Sequence, residues 1–273
     1  LNSMANYSPD GHLIVTVADT SEVRVWDAHT GQLRFDLKGH TQKVFSAHFS
    51  PDGRQIVTAS EDGTIRIWDV ATQREVKKLK RRTSRSTRYV SITSAVFSPD
   101  GEFILSTEIE GQNGWTSTAR LWNAKTGKFL FKLDSDVLSG ADKASNPIKN
   151  FGSGEVTSAE FSPNGQLVVI ATGDGYLTVW DLATKKPIHQ LEKNINDLES
   201  YDSAKFRPDG RFIVFGAKNQ TAKIWDFQNN KITHELKGHD DKVVSTHYSP
   251  DGRLIVTGSH DATARIWLQP RPK

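Results

Sequence analysis

A four-residue turn segment recurs along the chain and constrains its fold more than any other feature. The segment reads Ser-Pro-Asp-Gly or a close variant, and it occurs at residues 8–11, 50–53, 98–101, 162–165, 207–210 and 249–252. Proline presets φ for a tight turn, Asp or Asn bonds back to the backbone, and glycine takes the left-handed position. A recurrence of this kind indicates a repeat architecture, which decides the fold before single elements are assigned.

Each turn is followed by two β-rich runs, of which the second ends at a tryptophan. The turn proline precedes that tryptophan by 17 residues in five repeats and by 23 in the third. The six tryptophans are Trp26, Trp68, Trp122, Trp180, Trp225 and Trp267. Apolar and polar residues alternate in runs such as residues 64–68, which is the period-two signal of a strand. Each repeat is therefore predicted to be an antiparallel meander of strands a, b, c and d, and no segment shows a helical pattern.

The chain resembles the WD-repeat β-propeller family in the pairs Gly39-His40 and Gly238-His239, in the proline turns, and in the Trp-Asp that ends most repeats. The resemblance covers essentially the whole chain. It implies an all-β propeller of six four-stranded WD-type repeats in one domain, residues 1–273, whose last blade lacks its outer strand. The expected repeats are residues 1–39, 40–80, 81–134, 135–192, 193–238 and 239–273.

Two interpretations of the incomplete last blade stay open. Family members usually complete that blade with a strand from the opposite terminus, which leaves no exposed sheet edge. Here residues 268–273 are short and proline-rich for a strand. The chain is then either a six-bladed ring with a three-stranded last blade or part of a longer propeller.

The resemblance also implies buried structural tetrads, in which a His, a Ser or Thr, an Asp and the Trp bond in series. By position, two repeats carry a full set: His40, Ser60, Asp62 and Trp68, and His239, Ser259, Asp261 and Trp267. These repeats match at 20 of 31 positions over residues 39–69 and 238–268. A Ser-His-Asp set can suggest a catalytic triad, but catalysis needs an accessible nucleophile beside an oxyanion hole. We therefore expect a structural network and no enzyme.

Differences in loop length between the repeats favour one face of the propeller for binding. In an up-and-down blade the b–c and d–a connections lie on the same face. The d–a connections are longer at residues 80–89, 134–154 and 192–199, and the six-residue insert of repeat 3 lies in b–c around residues 108–117. Loops positioned by a rigid scaffold tolerate insertion and carry function. The alternative is drift in unconstrained loops.

Two features stand out on that face. Residues 77–88 carry seven basic side chains in twelve positions, and Trp115 is the only tryptophan outside the repeat pattern. Acidic peptides, phosphate groups or nucleic acid can dock on such a segment, and an exposed tryptophan is an enriched interface anchor. The predicted partner-binding residues are Arg81, Arg82, Arg85, Arg88, Trp115, Tyr201, Glu61, Lys218 and His260. The alternatives are a solvated basic loop and a tryptophan that pins its own loop.

Composition narrows the classes of function. The 35 basic and 32 acidic residues nearly balance, which does not indicate a general polycation. The absence of cysteine excludes disulfides and thiolate metal sites and fits a reducing compartment. The longest apolar run, residues 167–171, is far below the roughly 20 residues of a membrane span.

We therefore expect a cytoplasmic, non-enzymatic scaffold that is a module of a larger protein or complex. We expect no cofactor, no metal and no membrane span, and its expected partners are other proteins or peptides. The oligomeric state stays open. Binding of nucleic acid or an anionic surface through residues 77–88 is the less favoured alternative.

Overall fold

The computed structural model describes residues 4–80, 89–111, 115–133, 155–191 and 201–269. Within these ranges the chain forms 23 β-strands, numbered β1 to β23 in chain order, and no helix. Contacts divide the chain into two compact units, Leu1–Lys132 and Leu133–Lys273, and each is considered by itself.

The first unit holds three antiparallel sheets, each with its four strands in sequential order. Sheet 1 contains β1 (Met4–Tyr7), β2 (Leu13–Val17), β3 (Val23–Asp27) and β4 (Leu33–Leu37). Sheet 2 contains β5 (Val44–Phe49), β6 (Gln55–Ser60), β7 (Thr64–Asp69) and β8 (Arg74–Lys80). Sheet 3 contains β9 (Tyr89–Phe97), β10 (Phe103–Gly111), β11 (Trp115–Asn123) and β12 (Phe129–Leu133).

The second unit also holds three sheets, and its last sheet has three strands. Sheet 4 contains β13 (Val156–Phe161), β14 (Leu167–Thr172), β15 (Leu177–Asp181) and β16 (Lys186–Leu191). Sheet 5 contains β17 (Tyr201–Phe206), β18 (Ile213–Ala217), β19 (Thr221–Asp226) and β20 (Lys231–Lys237). Sheet 6 contains β21 (Val243–Tyr248), β22 (Leu254–Ser259) and β23 (Ala264–Leu268). The all-β prediction of six meanders, the last with three strands, is confirmed for the described residues.

The recurrent turn joins strands a and b, and its hydrogen bonds and backbone angles explain its residue types. In sheet 2, Ser50 Oγ donates to Asp52 Oδ1 at 2.6 Å and accepts from the amide of Gln55 at 2.9 Å. Gly53 adopts a φ of 71° and donates its amide to the carbonyl of Ser50 at 2.9 Å. This left-handed position strains any residue with a Cβ, which explains the glycine.

Within each unit, neighbouring sheets bury their apolar faces against each other. Val15 and Val25 of sheet 1 form one cluster with Trp68 of sheet 2. In the second unit, Val169 and Val179 of sheet 4 cluster in the same way with Trp225 of sheet 5. Burying one large side chain contributes about 1.5–3 kcal/mol. Each repeat tryptophan in these clusters thus attaches its own sheet to the preceding one.

The insert of repeat 3 lengthens strands instead of forming a loop. Strands β10 and β11 are nine residues long, and their register continues to the pair Gly111 and Trp115. Strand β9 is also nine residues long and pairs with β10 as far as Tyr89 and Gly111. The b–c connection of sheet 3 is therefore an extended, three-stranded projection. The lengthened d–a connections lie almost entirely outside the described residues.

Candidate interaction surface

The buried polar network of sheet 2 converges on Thr58. His40 Nδ1 lies 2.8 Å from Asp62 Oδ2, and His40 Nε2 lies 2.7 Å from Thr58 Oγ1. The indole of Trp68 donates to the same Thr58 oxygen at 2.9 Å. His40, Thr58 and Trp68 are all buried. The order of this network is therefore Asp, His, Thr and Trp.

The assignment of Ser60 and Ser259 to these tetrads was wrong. Strand register places Ile56 opposite Trp68, so Thr58 is one same-face position away from the indole and Ser60 is two. Two strand residues span about 6.6 Å and four span about 13 Å, so only the threonine reaches the indole. Ser60 Oγ instead donates to the carbonyl of Lys43 at 2.9 Å and accepts from the amide of Asp62 at 3.1 Å. The serine thus fixes the b–c turn.

Sheet 6 repeats this geometry. His239 lies 2.7 Å from Asp261 Oδ2 through Nδ1 and 2.7 Å from Thr257 Oγ1 through Nε2. Trp267 donates to Thr257 at 2.9 Å. Ser259 Oγ donates to the carbonyl of Asp241 at 2.9 Å, outside the series. Repeats 2 and 6 therefore share the network as well as the sequence.

The sequence analysis did not identify the hydroxyl that accepts the indole hydrogen bond, although the sequence carries a signal for it. In sheet 1, Trp26 donates to Thr16 Oγ1 at 2.8 Å, and in sheet 3, Trp122 donates to Ser106 Oγ at 2.9 Å. The shared signal is a Ser or Thr ten residues before the tryptophan, or sixteen where the insert intervenes. Sheet 5 has Phe215 at this strand position, and there Trp225 donates to Asn230 Oδ1 at 3.2 Å.

The electrostatics of the network keep the carboxylate charged. Burial acts to raise the pKa of Asp62, but hydrogen bonds from His40, Thr64 and the amide of Thr41 outweigh it. The pKa of Asp62 therefore lies well below its usual value of 3.8. Thr58 and Ser60 are fully buried, so neither hydroxyl of this set is an accessible nucleophile. The geometry suits a structural role.

The prediction that Tyr201 lies at a partner-binding rim was wrong. Tyr201 is 2% exposed, and its ring meets that of Phe215 edge-on with centroids 4.8 Å apart. It begins β17 opposite Ala217, and both residues belong to the apolar core of the second unit. Successive side chains of a strand point to opposite faces, and that of Tyr201 points into the core, so a partner cannot reach it.

Other predicted contact residues lie in or beside the b–c turns. Glu61 is half-buried and accepts a hydrogen bond from the hydroxyl of Tyr89 at 3.1 Å. Lys218 and His260 are exposed directly after β18 and β22, in neighbouring sheets of the second unit. The backbone of Trp115 begins β11, but its side chain lies outside the description. The arginines of the basic segment also lie outside the described residues: Arg81, Arg82, Arg85 and Arg88.

The described ranges contain no candidate membrane span and no candidate metal cluster. No helix there has the length and apolar character needed to cross a membrane. No group of three or more His, Cys, Asp or Glu side chains in those ranges is placed to hold a metal ion.

Six consecutive meanders that each carry a tryptophan near the end of the third strand, two of them with an Asp-His-Thr-Trp network, define a WD-repeat protein. The family described as WD domain, G-beta repeat matches residues 1–27, 31–69, 80–123, 145–181, 185–226 and 230–267. The chain therefore belongs to this family, as the sequence predicted.

A relative among known proteins is Periodic tryptophan protein 2 of Arabidopsis thaliana. The two are 26% identical over 180 residues, which is 66% of this chain and 17% of the relative. The chain thus spans less than a fifth of that protein's length.

Proposed function

We propose that this protein is a non-enzymatic scaffold that binds other proteins through the b–c and d–a side of its sheets. The observation that carries the proposal is the projection formed by β9, β10 and β11. Strands b and c in the other sheets are five or six residues long, whereas β10 and β11 have nine. Three added residue pairs extend the hairpin by about 10 Å.

The projection suits protein recognition because it is already ordered. Every residue of β10 pairs with β11, and β9 pairs along its other side. At its outer end Thr116 is exposed, while Ile109 and Glu110 are half-buried. A preformed surface avoids much of the entropy that ordering a loop costs on binding. Membership of the WD-repeat family supports the same conclusion.

The test removes the projection and keeps the fold. Deleting residues 109–111 and 115–117 restores the 17-residue spacing between the turn proline and the tryptophan of the other repeats. Wild type and this shortened variant serve as baits in extracts of the source cells, and a recovered partner is then titrated in purified form. Loss of the partner from a variant with unchanged thermal stability is expected. Equal affinity of the shortened variant would refute the proposal.

Gln228→Ser is the matched control, because Gln228 is exposed in the c–d turn of sheet 5, outside the predicted binding residues, and its substitution leaves the projection intact. The predicted arginines form a second arm of the experiment. Reversing the charge of Arg81, Arg82, Arg85 and Arg88 tests whether the basic segment contributes to the same partner. A cytoplasmic location belongs to the proposal and is checked with a fluorescent fusion.

A further inference from the structure

In the first unit, β8 contacts the turn between β11 and β12. The ammonium of Lys77 donates to the carbonyl of Lys125. The stem of Lys77 lies against Gly127, where an added Cβ would come within 2.9 Å of Lys77 Cδ. Lys128 ends the same turn and is exposed, as is Lys125. These three lysines, which we name the rim lysines, therefore belong to one surface.

The rim lysines carry uncompensated positive charge. In the part of the chain that the structure describes, none of them forms an ion pair with a carboxylate. The nearest acidic residue along β8, Glu75, is bound to Arg66. An anion at this surface would thus meet three ammonium groups without displacing an acidic side chain.

A partly exposed aromatic ring directly follows the turn that carries Lys125 and Lys128. Phe129 follows Lys128 and is 46% exposed. Its ring meets Trp122 edge-on, with centroids 5.6 Å apart, and the guanidinium of Arg120 lies 5.3 Å from its centre. Arg120 is itself buried and paired with Glu108. The ring is thus held from the protein side while part of it stays open to solvent.

We propose that Phe129 and the rim lysines, Lys77, Lys125 and Lys128, bind single-stranded nucleic acid. A base stacks on Phe129 and the lysines neutralise adjacent phosphates. Stacking platforms beside basic side chains are the usual means of holding single strands without sequence preference. This surface is distinct from the proposed protein-binding projection, because Phe129 lies near Trp122, at the opposite end of β11 from Trp115.

Comparison between the sheets favours a nucleic acid over an acidic peptide. The residue seven positions after the repeat tryptophan is aromatic only in sheet 3; its counterparts are Leu33, Glu75, Pro187 and Ile232. Lysines alone would bind any polyanion. The exposed ring adds a flat partner for a base, which a polyglutamate chain does not offer.

The experiment measures fluorescence anisotropy of labelled oligouridylate and oligothymidylate of equal length across a salt series. Phe129→Leu keeps the apolar bulk and removes the ring, so affinity is expected to fall roughly 5- to 150-fold with an unchanged salt slope. Changing the rim lysines together to glutamine is expected to reduce the slope of log affinity against log salt by about 2. Binding of either polymer in this manner supports the site, and their ratio shows whether the 2′-hydroxyl contributes.

Leu33→Ala is the matched control, since Leu33 occupies the same register in sheet 1 and is 47% exposed. It should leave affinity unchanged. Absence of binding, full affinity of a folded Phe129→Leu protein, or equal competition by polyglutamate of the same charge would each overturn the proposal. The variant that lacks the β10–β11 projection should bind oligonucleotide like wild type, so failure of the scaffold proposal remains distinguishable.

Discussion

Thr58 holds the oxygen on which the network of sheet 2 depends, and Thr58→Val removes it with little change in shape. The substitution deletes the contacts to His40 Nε2 at 2.7 Å and to the indole of Trp68 at 2.9 Å. Both partners are buried, so each loses its hydrogen bond without access to water. A buried polar group left unsatisfied costs about 1–3 kcal/mol, which gives an expected loss of about 2–6 kcal/mol for the pair.

Two substitutions calibrate this value. Ser60→Ala removes hydrogen bonds of the b–c turn at 2.9 and 3.1 Å, and an ordinary bond of this kind contributes about 1 kcal/mol. Thr257→Val removes the equivalent oxygen in sheet 6, where Trp267 is only half-buried and water can replace part of the loss. The expected order of destabilisation is Thr58→Val, then Thr257→Val, then Ser60→Ala.

The assay is urea unfolding followed by tryptophan fluorescence, with the m-value checked for constancy so that midpoints can be compared. A loss below about 1 kcal/mol for Thr58→Val would contradict the estimate of two unsatisfied buried groups. A larger loss for Ser60→Ala than for Thr58→Val would show that the serine is the centre of the network after all.

Three further predictions follow from single residues. Ala262 adopts a φ of 62° where the matching repeat has Gly63 at 73°, so Ala262→Gly should stabilise the fold by about 1 kcal/mol in a thermal melt; an unchanged Tm would contradict the assumed strain. Ile266 is 72% exposed and its counterpart Ile67 is 1% exposed. Ile266→Lys should change the free energy of unfolding by under about 0.5 kcal/mol, whereas Ile67→Lys should lower it by more than about 4 kcal/mol. Similar losses for the two variants would refute the assigned burial. Because the pKa of Asp62 is lowered in the fold, its charge stabilises the protein above pH 3.8, and this stabilisation is lost as the pH falls toward the folded-state pKa. Asp62→Asn should therefore make the free energy of unfolding depend less steeply on pH below 3.8. Equal steepness for the variant and the wild type would argue against the shift.

Much of the fold could be predicted because its signals act over a few residues. The turn at residues 50–53 needs only its own proline, Asp52 and Gly53, and the period-two runs beside it need only alternation. The same local spacing located the insert of repeat 3 in the b–c connection. Spacing alone did not show that these residues form longer strands, which pair with each other and with β9, a strand from outside the insert.

The sequence by itself determined the repeats, the turns, the strands and the tryptophans that end them. Tertiary structure decided which hydroxyl each tryptophan meets, so that Thr58 and not Ser60 joins the network, and it buried Tyr201 beneath its neighbours. It also left Ile266 exposed although Ile67 occupies the same place in the most similar repeat, which matches at 20 of 31 positions. The physical reason is that strand formation depends on neighbours along the chain, whereas burial depends on the sheet packed across each face.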